Sequence, residues 1–235
     1  MYYWNRANFE GLKDIASALR SCGQEALAQY CDYREQGIRK LAFAKMSEFL
    51  SQAASYSQLE ARTVCRQILE LHAASPGVHQ FLADPLRRGF IEPTLEEWTS
   101  ADPQDPIPAR WHALIKRDKE LMISALALDP ADSEVRARLV DWELSPVDHA
   151  THHLVESVLL GELDEVRAAL GKARACLLAA PDLGRLSAQH REIEHFAQLL
   201  DDWEEYSGCP EGTFPDWCAR NGRNYAWPTI VYYSP

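Results

Sequence analysis

Apolar residues in this 235-residue chain return every three or four positions through segment after segment, and sustained alternation with polar residues is rare. That period belongs to the α-helix, in which positions i, i+3, i+4 and i+7 share a face. Leu12, Ile15, Ala16 and Leu19 make the first such face, and Leu27, Tyr30, Cys31 and Arg34 the second. Leu41, Ala42, Met46, Phe49 and Leu50 make the third, and Leu59, Val64, Ile68 and Leu71 the fourth. Gly23, Gly37 and the Tyr56–Ser57 junction divide them, and Pro76 stops the last.

Six of the thirteen prolines fall between residues 76 and 108, which leaves room only for short helices there. One is expected from Leu95 to Trp98 behind a Thr94 cap, followed by a surface loop from Ala101 to Pro108. Helices resume over about 109–128 and 133–144. Ser145-Pro146 then reads as a fresh helix start running to a C-terminal cap at Gly161. Two more helices are expected over 163–180 and 187–206. Beyond Gly208 the chain reads as irregular, with Thr229 to Tyr233 as a short strand or extended tail. The expected fold class is all-α: antiparallel helical hairpins stacked in one domain over 1–235 and closed by an aromatic tail. A division into 1–98 and 109–235 around the proline-rich loop is the alternative.

Hydrophobic residues make up 46% and charged residues 25%, the proportions of a globular domain rather than a disordered chain. The six cysteines form no Cys-x-x-Cys pair, and Cys22, Cys31, Cys65 and Cys176 lie in helical segments, as reduced cysteines do. Only Cys209 and Cys218 lie where a bridge is sterically conceivable. The N-terminal residues lack a basic region followed by an apolar run, and no apolar stretch reaches membrane-spanning length. A cytoplasmic location away from any membrane is the expectation.

Charge is distributed unevenly. Lys and Arg number 24 against 35 Asp and Glu, a formal net charge of −11 that opposes binding to a phosphate backbone, so nucleic acid is not an expected partner. Residues 1–91 carry a slight positive balance, and the whole excess of acid lies in 92–235. Between Arg138 and Arg167 stand Asp141, Glu143, Asp148, Glu156, Glu162, Asp164 and Glu165 without a Lys or Arg. Asp201, Asp202, Glu204 and Glu205 lie in a second cation-free stretch, Arg191 to Arg220. Like charges at i, i+4 repel, so a basic partner relieves both stretches. Those acids, with Trp217 and Trp227 as aromatic anchors, are the candidate partner-binding residues, and Asp201 to Glu205 are expected to be exposed. The C-terminal aromatics Trp203, Tyr206, Phe214, Trp217, Tyr225, Trp227, Tyr232 and Tyr233 otherwise read as a lid over the open end of the stack.

Two segments resemble tetratricopeptide-type hairpins, in which a glycine is followed by apolar residues at five, nine and twelve positions. Gly37 is followed by Ala42, Met46 and Phe49, and Gly161 by Val166, Leu170 and Ala173. Ala125 to Pro130 resembles the exit of such a repeat. The stops at Pro76, Pro130 and Pro181 are spaced wider than that family's period, so the resemblance implies stacked hairpins rather than a regular superhelix.

No nucleophile elbow, phosphate loop or dinucleotide fingerprint occurs, and an enzyme is not expected. His149 and His153 have the i, i+4 spacing of a helical metal pair, but no third ligand is identifiable. His190 and His195 fall on different helix faces. Neither metal nor cofactor is expected. In overall character the chain is similar to bacterial immunity proteins, which implies an inhibitor whose acidic face neutralises a cationic toxin. A helical-repeat adaptor for protein–protein interaction is the alternative.

Overall fold

The computed structural model describes residues 11–75, 77, 78 and 80–227. The expectations for Pro76, for Tyr232 and Tyr233, and for a strand over 229–233 lie outside them. The fold is all-α, and no strand occurs among the described residues. The chain forms two compact units, Met1–His112 and Ala113–Pro235, and the boundary falls inside a helix, Pro106–Lys116.

In the first unit α1 (Leu12–Ser21), α2 (Glu25–Glu35) and α3 (Arg39–Ala53) follow one another as packed neighbours, and α4 (Gln58–Ala74) packs on α1. Each turn has a local cause. Gly37 takes φ +76°, and the amides of Gly37 and Ile38 bond back to the carbonyls of Arg34 and Tyr33 at 3.1 and 2.8 Å, closing α2 in a Schellman motif. Ser57 opens α4 with a capping box: its hydroxyl accepts from the Glu60 amide, and the Glu60 carboxylate accepts from the Ser57 amide. Ala42, Met46 and Phe49, the residues at repeat-like offsets from Gly37, are fully buried.

The proline-rich region is more helical than its composition predicts. α5 (Asp84–Leu86) leads without a break through a π-helical turn, Arg87–Ile91, into α6 (Glu92–Ala101). Thr94 is therefore no cap; it is buried inside the helix, and its hydroxyl donates to the Phe90 carbonyl at 2.7 Å. The expected loop shrinks to 102–105, because α7 (Pro106–Lys116) starts at Pro106, where a missing N–H costs nothing. Asp105 receives the Trp98 indole N–H and the Ile107 amide, both at 2.9 Å.

The expected helix over 109–128 is two helices, parted at Arg117 (φ +50°), with Asp118 capping α8 (Lys119–Leu128). Ser145-Pro146 does not start a helix: α9 (Ser133–Thr151) runs through it. Pro146 removes one backbone donor, but Leu144, Val147 and Ala150 around it are all buried, so packing carries the helix across the break. α9 ends ten residues before Gly161, which stands in the approach to α10 (Leu163–Leu178) with the expected positive φ of +92°. Val166, Leu170 and Ala173 pack against α9 in the core with Val140 and Val147. α11 (Ser187–Gly208) lies along α10 and touches α9. Buried Arg136 ties two elements, donating to the carbonyls of Cys176 in α10 and Pro130 after α8 at 3.2 and 3.1 Å.

Residues after Gly208 are not wholly irregular, because α12 (Phe214–Arg220) forms there behind a Thr213 cap. Its amide end is fastened to the α9–α10 connection, where Phe214 N–H donates to Ser157 Oγ at 2.7 Å. All six cysteines are free thiols. No described helix is long and apolar enough to cross a membrane.

Candidate functional site

The second unit sorts its acids into groups that no linear reading separates. Arg167, from α10, reaches Asp201 and Glu204 of α11 at 2.7 and 2.8 Å, and Arg174 reaches Glu194 at 2.9 Å. The stretch that lacks cations in sequence is thus supplied with them by the neighbouring helix. Lys119 holds Glu143 at 2.6 Å, and His153 Nδ1 lies 3.5 Å from Glu156. Glu162, Asp164 and Glu165 surround the start of α10, where the helix dipole favours negative charge. Glu205 is exposed.

Asp202 departs furthest from expectation. It is 1% exposed, and its carboxylate accepts from Gln198 Nε2 and Arg223 Nε, both at 3.0 Å, and from the Tyr225 hydroxyl. It is therefore a fold-holding residue and no part of an exposed binding cluster. Its place was visible: it stands three residues after buried Leu199 and four before buried Tyr206, on the edge of the apolar stripe of α11. Burial, first, and the bond to Asp202, second, hold the Tyr225 phenol well above its ordinary range.

Trp217 and Trp227 are half-buried and pack against the core of this unit, so neither is a free anchor. Phe214 is the hub of their cluster, with ring centroids 6.1 Å from Trp217, 5.7 Å from Trp227 and 5.2 Å from Trp203. The described part of the aromatic tail is a lid, as one of the two readings of the sequence held.

Under the edge of this lid lies a cleft of about 360 Å³. One wall is Asp148, Thr151 and His152 at the end of α9; the opposite wall is Glu192, His195, Phe196 and Leu199 of α11; Tyr225 and Trp227 close one side. His195 lies edge-on to Tyr225 at 5.7 Å, and Tyr225 to Trp227 at 5.5 Å. Among the described residues, Asp148 and Glu192 have no Lys or Arg partner, and no cation lines the cleft. Glu192 is an exposed residue, but partial desolvation at the cleft wall, then the charges of Asp141 and Asp148, raise its carboxyl above the ordinary carboxylate range, against the opposing pull of His195. Asp141 accepts from Gln189 at 3.1 Å.

The expected helical pair His149 and His153 is not one, because α9 stops at Thr151 and His153 lies beyond it. His152, which the spacing argument passed over, is the histidine that enters the cleft, together with His195. No group of three or more His, Cys, Asp or Glu side chains poised to hold a metal occurs among the described residues. Compared with protein-family models, with curated proteins and with solved structures, the chain matches none.

Proposed function

We propose that this chain is a binding protein, not an enzyme, and that the acidic side of its second unit holds a basic protein partner in the manner of an inhibitor of a cationic toxin. The observation that supports this reading is the convergence of Asp148 and Glu192 on one cleft, with Asp141 close enough to perturb Glu192, while the acids of the Asp201–Glu204 group are already matched by Arg167 or Arg223. Charge left unmatched at the meeting of two helices raises the free energy of the free protein, and a cationic surface removes that cost on binding.

The test uses a ten-residue oligolysine peptide as the basic probe, with association followed kinetically across a salt series. Neutralising Asp141, Asp148 and Glu192 to Asn, Asn and Gln is expected to slow association about tenfold at low salt, the size expected when electrostatic steering is lost. Asp201→Asn with Glu204→Gln is expected to have little effect, because Arg167 already screens that pair. Equal losses in the two variants reduce the acidic excess to a property of net charge alone. Association indifferent to both variants and to salt favours the adaptor.

A further inference from the structure

We propose that the cleft between the end of α9, the middle of α11 and residues 225–227 is a receptor for one cationic side chain, a lysine ammonium or arginine guanidinium presented by the partner. The inference rests on the basic-partner reading and adds to it the place and chemistry of the anchor.

The argument is from shape and complementarity together. The cleft, at about 360 Å³, is of the size that takes a single small group. Its polar walls are two carboxylates, Asp148 and Glu192, contributed by different helices and free of any cation among the described residues. Its apolar side is aromatic. Tyr225 and Trp227 meet at 5.5 Å, Phe196 lines the α11 wall, and aromatic rings attract an alkylammonium or guanidinium group over their faces while apolar surface covers its methylene stem. An anion has nothing to bind here except the imidazoles of His152 and His195, and the His195 ring interacts with the Glu192 carboxylate. A neutral apolar group leaves the carboxylates desolvated and unmatched.

The aromatic side is also held in place in advance. Buried Asp202 fixes Arg223 and Tyr225, and α12 carries Phe214, against which Trp227 packs. A rigid wall loses little freedom when a ligand enters, which is what a small cationic anchor requires.

The test uses the capped amino acids N-acetyl-lysine methylamide and N-acetyl-arginine methylamide, titrated into the full chain and followed by amide and indole NMR shifts. Saturable shifts confined to residues lining the cleft, with the Trp227 indole assigned through Trp227→Phe, are the expected result. Capped norleucine is expected to give none. Asp148→Asn with Glu192→Gln is expected to weaken the cation at least tenfold, with a thermal midpoint no lower than the parent's showing that the variant is folded. The pair Asp201→Asn and Glu204→Gln is expected to bind as the parent does. Non-saturating shifts, shifts spread over every acid, or undiminished affinity in the cleft variant overturn the proposal. If oligolysine association still depends on Asp141, Asp148 and Glu192 while the capped amino acids fail to bind, the anchor falls and the basic-partner reading stands. If both fail, both fall.

Discussion

The first unit, residues 1–112, holds 12 Lys and Arg against 14 Asp and Glu; the second, residues 113–235, holds 12 against 21. Each buries charge, and the second unit buries both signs. In the first it is the Arg34 guanidinium, 7% exposed, which donates to the Gln80 side-chain carbonyl and lies 5.7 Å over the Phe43 ring. In the second they are the Arg136 guanidinium, which donates to two backbone carbonyls, and the Asp202 carboxylate with its three donors. Surface charge in the first unit is matched largely by near neighbours, as in Lys45–Glu48 and Arg66–Glu70. In the second, Arg167 and Arg174 are used to bind α10 to α11, and the cleft is left with two acids and no Lys or Arg among the described residues. A surplus of one charge thus becomes informative only after the tertiary pairs have been subtracted.

The strongest way to break this contrast is at buried Asp202 and buried Arg34. Asp202→Ala strands Arg223 and the Tyr225 hydroxyl and is expected to cost about 3 kcal/mol, read from urea denaturation. Neighbouring Asp201→Ala, which removes one arm of an exposed pair, is expected to cost less than about 1 kcal/mol. Equal effects contradict the assignment of Asp202 to the fold. Arg34→Ala removes a buried donor and its stacking on Phe43, and a loss of about 2 kcal/mol confined to the first unit is expected, seen as faster amide exchange in α2 and α3.

At Gly37 and Gly161 the two units carry the same device, a left-handed backbone with open space around the missing side chain. A Cβ at either position meets no neighbour, so the cost of valine, about 1–2 kcal/mol, is chiefly backbone strain and is expected to be similar in both units by thermal denaturation. A cost at one position only contradicts that equivalence. Ser57→Ala, which dismantles the capping box of α4, is expected to cost about 1 kcal/mol.

The smallest effect concerns acid. In the first unit Glu60 is held below the ordinary carboxylate range by its bonds with Ser57, and Asp84 by Arg87. Their contribution is present above that range and lost as pH falls through the depressed values. Glu192 of the second unit is shifted the other way, so deprotonation disfavours the fold and protonation relieves it. On acidification, carboxyl carbon shifts are expected to show Glu192 protonating first and Glu60 and Asp84 later. At high pH, burial holds the Tyr30 phenol, which donates to the Gln80 carbonyl at 2.7 Å, up to about 12. Its stabilisation of the first unit is complete below the ordinary tyrosine range and is lost as pH rises towards 12.

Period and punctuation in the sequence were enough for α1 to α4, α10 and α11, since each has buried apolar residues at three- and four-residue spacing and is bounded by glycine, serine or proline. They failed where packing overrides punctuation. Proline at position 146 stays helical because its neighbours are buried, and Thr94 is interior because a π turn joins two helices that local propensity separates. The candidate site was legible by half. Asp148 with His152, and Glu192 with His195 and Phe196, have the spacing of single helix faces, but the sequence does not say that α9 and α11 set those faces opposite one another.

By itself, the sequence determined the helical class, most helix ends and the acidic excess, because period, caps and net charge are properties of near neighbours along the chain. Only the tertiary structure decided which acids are matched. Arg167 lies more than thirty residues from Asp201, and Asp202 meets Arg223 and Tyr225 across the turn through α12. Electrostatic energy depends on distance in space and on burial, and neither follows from separation along the chain.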